Sequence, residues 1–88
     1  MISETDKATI LRYVKKYNVS EVYLFGSSIE RDDANDIDIG IRGILPELFF
    51  DFYGEILLEL SKPVDIVDLT EDNSFNRLVI KEGVKLYG

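Results

Sequence analysis

A short alternating segment that runs directly into a Gly-Ser turn constrains this chain most. Val22 and Leu24 alternate with charged and aromatic neighbours over residues 21–25, which predicts a strand that ends at Gly26. Glycine permits a tight turn and the close approach of a ligand, and the amide groups that follow it suit a phosphate. A Gly-Ser pair alone is more often an ordinary turn, so Gly26 and Ser27 are candidate binding residues that need further support.

Two aspartates share one face of the next predicted strand. Asp36, Asp38 and Gly40 alternate with three isoleucines over residues 36–41, so the isoleucines face the core and both carboxylates face the other way. Neighbouring carboxylates repel each other unless a cation or a donor compensates, and Mg²⁺ prefers carboxylate oxygen. The alternative for the pair alone is the solvated outer face of an edge strand.

A third carboxylate lies in another apolar segment. Pro63 precedes residues 64–69, which predict a mostly buried strand with Asp65 on one face and Val64 and Ile66 on the other. If this strand pairs beside the strand of Asp36 and Asp38, the three carboxylates converge and can hold two metal ions. Asp68 points to the opposite face and is expected to be a strand-end or turn residue.

Helical patterns occupy the rest of the chain. Ser3 or Thr5 is expected to cap a helix over residues 4–17, Pro46 fits the first turn of a main helix that continues to about residue 61, and Ser74 is expected to cap a last helix that stops at Gly83. Residues 84–87 predict an edge strand. The apolar stripe of the main helix consists of Leu45, Leu48, Phe49, Phe52, Ile56 and Leu60. Helices and strands alternate, so we predict an α/β (α+β) fold with a mixed sheet flanked by helices.

The main helix has more apolar surface than one packed face requires. Phe50, Tyr53 and Leu57 widen its stripe. Extra core contact in a thin domain and a face for a partner protein explain this equally well, because exposed apolar patches often mark interfaces.

Composition narrows the classes of function. The 88 residues predict one small domain, and the net charge of −7 opposes non-specific nucleic-acid binding. The absence of cysteine and histidine excludes thiol nucleophiles, Ser-His triads and zinc sites built from thiolate or imidazole, so any metal must bind oxygen. Neither a calcium-binding EF-hand loop, nor a Walker loop, nor a Rossmann glycine motif is present. With no signal-peptide pattern and no long apolar run, we expect a cytoplasmic protein without membrane contact.

Together, residues 24–27, 36–38 and 64–67 resemble the three signature segments of the minimal nucleotidyltransferases of the polymerase-beta-like superfamily. This resemblance spans most of the chain and implies that family's fold. It implies that Gly26 and Ser27 bind a nucleoside triphosphate, ATP, and that Asp36, Asp38 and Asp65 are catalytic residues that bind two Mg²⁺ ions. Asp65 would also assist removal of the acceptor proton. Transfer of AMP to a hydroxyl group would release pyrophosphate.

The resemblance also implies a partner, and the chain departs from the family pattern in one loop. Minimal nucleotidyltransferases of this kind pair with small helical HEPN proteins, which implies an antitoxin that adenylylates its toxin. The family usually reads Gly-Ser-x-Ala-Arg-Gly, whereas Ile29, Glu30 and Arg31 occupy the last three positions here, and the eight residues before Asp36 are two fewer than usual. Arg31 is the candidate substitute for the nucleotide-binding arginine. Two alternatives stay open: a catalytically impaired module that binds and neutralises a partner protein, and transfer to a small molecule.

Overall fold

Residues 2–26 and 36–88 are described by the computed structural model, and within them the chain forms three α-helices, one short 3-10 helix and four strands. The helices are α1 (Glu4–Lys16), α2 (Phe49–Glu59) and α3 (Ser74–Glu82), with the 3-10 helix Pro46–Leu48 directly before α2. The strands are β1 (Glu21–Phe25), β2 (Ile37–Arg42), β3 (Val64–Asp68) and β4 (Val84–Tyr87).

The four strands form one mixed sheet in the order β3-β2-β1-β4. β1 pairs antiparallel with both β2 and β4, whereas β2 and β3 are parallel because α2 carries the chain back between them. The predicted α+β class is confirmed, as is the edge strand at 84–87. β3 is also an edge strand, and its exposed positions alternate with buried ones, so the expectation of a mostly buried strand was wrong for one of its faces.

One face of the sheet carries the main core. The three isoleucines of β2 are buried as predicted, with 2% or less of each side chain exposed. They belong to a cluster with apolar residues of α1, α2 and the other strands: Ile10, Val14, Val22, Leu24, Phe52, Ile56, Val64 and Ile66. Each such side chain contributes about 1.5 to 3 kcal/mol when fully buried, so this face fixes which way the polar positions of β2 and β3 must point.

A smaller cluster covers part of the opposite face, where α3 packs. Tyr23, Leu69 and Val79 are buried together there. Gly40 of β2 makes room for this packing, because a Cβ on Gly40 would lie 2.6 Å from Leu69 Cδ1. Asp38 lies on the same face towards the other end of β2, where it is half-buried.

One of the two predicted helix caps is confirmed by the structure and the other is not. Ser3 is the N-cap of α1, and its Oγ accepts a hydrogen bond from Asp6 N at 3.1 Å. Ser74 is not the cap of α3 as predicted: Asn73 is, and its Oδ1 accepts from Asn76 N at 2.8 Å. Asparagine and serine cap about equally well, so the preceding Asn73 takes this role and Ser74 becomes the first helical residue.

The main helix also begins differently from the prediction. Pro46 starts a 3-10 turn that precedes α2, and Leu45, which the predicted stripe included, is 58% exposed. Of the residues that widen the stripe, Tyr53 is half-buried and donates from its hydroxyl to Val64 O at 3.0 Å. Phe50 and Leu57 are exposed. Extra core contact therefore explains Tyr53, but not the other two.

None of the helices formed by residues 2–26 and 36–88 has the length and apolar character needed to span a membrane.

Candidate active site

Asp38 and Asp65 lie side by side on the two neighbouring parallel strands. Parallel pairing of β2 with β3 places Asp38 opposite Asp65, in the same register that pairs Ile39 with Ile66. The buried isoleucines fix the opposite face in the core, so both carboxylates lie on the side of the sheet where α3 packs. Asp38 is half-buried and Asp65 is exposed.

The electrostatics of this pair centre on Asp38. Burial, then the charge of Asp65, then the charge of Asp36 raise the pKa of the Asp38 carboxyl above its ordinary value. All three causes act in the same direction, because each disfavours a negative charge at this position. A cation placed between the carboxylates would remove the repulsion.

Gly26 brings the end of β1 against this carboxylate. Phe25, the last residue of β1, pairs with Asp38, and a Cβ on the next residue, Gly26, would overlap Asp38 Oδ2. Gly26 also has φ +69°, a conformation that L residues rarely adopt. The glycine therefore brings the backbone close to the carboxylate and turns the chain immediately beside it.

Ser27 and Arg31 lie outside the described residues, as do Ile29 and Glu30 of the altered loop. Gly26 and Asp36 are the residues that flank this stretch, and both are exposed.

The carboxylates suit a hard divalent cation only in part. Asp36 lies one residue before β2, and in residues 2–26 and 36–88 no three acidic side chains are arranged so that they could hold a metal ion. Of the three predicted aspartates, the strand register therefore brings together Asp38 and Asp65. Mg²⁺ typically takes only one or two carboxylates and completes its shell with water and phosphate oxygens, so this pair fits it chemically. Metal binding by all three aspartates stays a prediction.

Asp68 is a strand-end residue, as the sequence predicted. Its Oδ1 accepts hydrogen bonds from the backbone N and the hydroxyl of Thr70, at 2.9 and 2.7 Å. This is a local turn at the end of β3, on the side of the strand opposite to Asp65.

A pocket of about 320 Å³ that the sequence did not reveal adjoins the site. It lies between the end of β1 and α3 and is lined by Phe25, Gly26, Phe75, Leu78, Val79, Glu82 and Gly83. One signal could have indicated it: Phe25 stands directly before Gly26, and Phe75 and Leu78, three residues apart in a helical segment, share one face of α3. Among the described residues, most of the pocket lining is apolar and Glu82 supplies its one carboxylate.

A four-stranded mixed sheet with an aspartate pair beside a glycine turn is the arrangement expected from the resemblance to nucleotidyltransferases. The family model described as "Polymerase beta, Nucleotidyltransferase" matches residues 8–88, and the chain belongs to this family. A comparison with curated protein sequences gives no match.

Several solved structures of toxin-antitoxin complexes have the same fold. The MNT antitoxin complex with the tri-AMPylated HEPN toxin of Shewanella oneidensis gives a TM-score of 0.70 at 20% identity, over 94% of this chain and 70% of that one. A structure of MntA-HepT gives 0.72 at 20% identity, over 98% and 73% of the two chains. A toxin-antitoxin structure with AMP-PNP gives 0.73 at 21% identity, over 93% and 73%. At these identities the likeness establishes the fold.

Proposed function

We propose that this chain transfers AMP from ATP to a hydroxyl group of a partner protein, in a reaction that depends on Mg²⁺. The observation that carries the proposal is the register of Asp38 and Asp65, held beside Gly26 in a chain of the nucleotidyltransferase family. The partner we infer is a small helical HEPN-type toxin, which this chain would inactivate as its antitoxin. Two structural relatives support this, since one contains AMP-PNP and another an AMPylated HEPN toxin.

Each residue has a distinct role in the proposed reaction. Asp36, Asp38 and Asp65 would hold the divalent ions, which would supply charge neutralisation for the triphosphate. Gly26, with Ser27 and Arg31 from the loop that follows, binds the phosphates. The turn at Gly26 allows this because it keeps side-chain bulk away from the carboxylate of Asp38.

The transfer itself is an in-line substitution at the α-phosphorus. The acceptor oxygen forms a bond to that phosphorus, the bond from phosphorus to the bridging oxygen of the β-phosphate breaks, and pyrophosphate leaves with that electron pair. Asp65 accepts the proton of the acceptor hydroxyl and passes it to water. Its exposed position, next to the half-buried Asp38, allows an acceptor from a partner protein to reach it.

A labelling experiment with two forms of ATP tests the proposal. The chain is incubated with Mg²⁺, a co-expressed HEPN-type partner and ATP that carries the label on either the α- or the γ-phosphate. We expect the α-label on the partner and the γ-label in pyrophosphate. Neither product should form when EDTA removes the Mg²⁺. A partner labelled by the γ-phosphate would indicate phosphoryl transfer instead, and no transfer from ATP that binds the chain would contradict the proposed activity.

The exposed face of α2 favours a second candidate function, binding a partner without chemistry. Phe50 and Leu58, four-fifths or more exposed, lie eight residues apart on α2 and flank Gly54, where an added Cβ would meet nothing within 4 Å. Such a surface permits close packing of another helix. Calorimetric titration with ATP and Mg²⁺ separates the candidates. A pure binding module would form the complex but give no metal-dependent nucleotide heat.

A further inference from the structure

We propose that the pocket between the end of β1 and α3 binds the base of the nucleoside triphosphate, and that Glu82 selects bases that present an amino group. This inference rests on the proposed nucleotidyl transfer and adds a base subsite to it. It concerns Phe25, Phe75, Leu78 and Glu82, to which the transfer chemistry assigns no role.

The position of the pocket is the first argument. Phe25 lines it and is the register partner of Asp38 across β1 and β2, so the two side chains leave the same face of the sheet as direct neighbours. Gly26 lines the pocket as well and touches the Asp38 carboxylate with its backbone. In a nucleotide, only the ribose separates the α-phosphate from the base. A nucleotide whose α-phosphate lies beside Asp38 therefore has its base within reach of this pocket.

The lining is the second argument. The rings of Phe25 and Phe75 meet edge to face, with centroids 5.9 Å apart and an angle of 82° between their planes. Phe75 and Leu78 are each 51% exposed, so the pocket offers part of an aromatic ring and an aliphatic side chain to water. Apolar pockets of about 300 Å³ or more are typical of small-molecule sites, and aromatic side chains stack on any base.

Backbone closes the inner end of the pocket. A Cβ on Gly83 would lie 2.9 Å from Leu24 O and 2.5 Å from Val79 O, so the end of α3 approaches β1 as closely as glycine allows. The pocket is thus bounded by the sheet, by α3 and by this close approach, and it stays open towards solvent. A flat ring can enter from that side while its ribose extends towards Asp38.

Glu82 supplies the polar recognition. It is the only charged residue among those that line the pocket in the described part of the chain, and it is exposed at the end of α3. A carboxylate only accepts hydrogen bonds, whereas the exocyclic amino group of adenine or cytosine donates them. An amino group turned towards Glu82 is therefore favoured over a carbonyl oxygen in the same place, which would be repelled.

Calorimetry with three ligands tests the base subsite separately from the activity. ATP, purine riboside triphosphate, which lacks the amino group, and inorganic triphosphate are titrated into the full chain with Mg²⁺. We expect inorganic triphosphate to bind at least about tenfold more weakly than ATP, with purine riboside triphosphate between them. Equal binding of all three would overturn the base subsite and leave the proposed transfer intact. Failure of all three to bind would overturn both.

Matched variants locate the effect. Phe75→Ala and Leu78→Ala are each expected to weaken the binding of ATP on the order of tenfold and to leave the binding of inorganic triphosphate unchanged. Leu45→Ala truncates a similarly exposed leucine elsewhere and should change the affinity for neither ligand. Glu82→Gln is expected to reduce the preference for ATP over purine riboside triphosphate, whereas Glu71→Gln should keep it. An unchanged preference in Glu82→Gln, in a protein with the wild-type circular dichroism spectrum, would refute the role of Glu82.

Discussion

The backbone of Gly26 lies against the carboxylate of Asp38, so closely that any side chain at position 26 would overlap Oδ2. The same residue has φ +69°. Two separate constraints, a left-handed backbone and a close approach, therefore hold this position to glycine. The turn after β1 and the carboxylate on β2 are built as one unit.

Gly26→Ala is expected to lower both stability and nucleotidyl transfer. The left-handed backbone alone costs an L residue about 1 to 2 kcal/mol, and the overlap with Asp38 adds to this. Urea unfolding measures how much Gly26→Ala lowers the free energy of unfolding, once in the wild-type chain and once in an Asp38→Ala background, where the overlap is relieved. The cost of Gly26→Ala should be smaller in that background. An equal cost in both would show that the contact with Asp38 contributes nothing.

Replacing the acidic residues of the site is expected to abolish transfer and preserve the fold. Asp36→Ala and Asp38→Ala each remove a proposed metal ligand, and Asp65→Asn removes the proton acceptor while it keeps the shape of the side chain. Transfer of α-label from ATP measures the effect. Asp68→Asn is the matched control, because it lies on the same strand as Asp65 and can still accept from Thr70. Full transfer by both Asp36→Ala and Asp38→Ala would refute the metal site.

The stability of the chain is expected to depend on pH through Asp38. Its pKa is raised in the folded state by burial and by Asp65 and Asp36, so ionisation of Asp38 costs folding free energy. The stability that the protonated form provides is present below the ordinary aspartate pKa and is lost as pH rises through the raised value. Asp38→Asn should therefore have a higher Tm than wild type at pH 7.

The advantage of Asp38→Asn should shrink as pH falls into the acid range, where wild-type Asp38 is protonated as well. Differential scanning calorimetry from pH 7 down to pH 4 gives the trend. Asp51→Asn removes a charge from the exposed side of α2 and serves as the control. A Tm difference that stays constant over this range would mean that repulsion at Asp38 is not its source.

Periodicity predicted the sheet and the identity of its polar face, because burial of the three isoleucines of β2 leaves Asp38 only the opposite side. Parallel pairing that matches Asp38 with Asp65 depends on the crossover through α2, and no local pattern encodes it. The pocket escaped prediction for the same reason. Phe25 and Phe75 are fifty residues apart, and only the packing of α3 on the sheet brings their rings together.

The exposed face of α2 is expected to contribute to partner binding and not to the stability of the chain. Phe50 is 80% and Leu58 86% exposed, so Phe50→Ser and Leu58→Ser remove little buried area. Their Tm should match wild type, while the affinity for the HEPN-type partner, measured by surface plasmon resonance, should fall by tenfold or more. Leu45→Ser is the control for loss of an exposed leucine. Wild-type affinity in both α2 variants would exclude this face as the interface.

The contact between Tyr17 and Glu55 is expected to make stability fall at high pH. The Tyr17 hydroxyl donates to Glu55 Oε1 at 2.6 Å and so links α1 to α2, and this hydrogen bond raises the pKa of Tyr17 from 10.0 to about 12. A raised pKa means that the contribution to stability is complete below pH 10 and is lost as pH rises through 12. Wild type should therefore have a higher Tm than Tyr17→Phe at pH 8.

The difference between wild type and Tyr17→Phe should decrease between pH 10 and 12, because the variant has no hydroxyl to ionise against Glu55. Thermal unfolding followed by far-UV circular dichroism gives both curves. Tyr87→Phe, which removes a hydroxyl from β4, controls for the loss of a tyrosine. Lys16, which donates to the other oxygen of Glu55 at 2.7 Å, is present in every variant. A difference independent of pH would show that ionisation of the Tyr17 hydroxyl does not weaken its contact with Glu55, which contradicts the prediction.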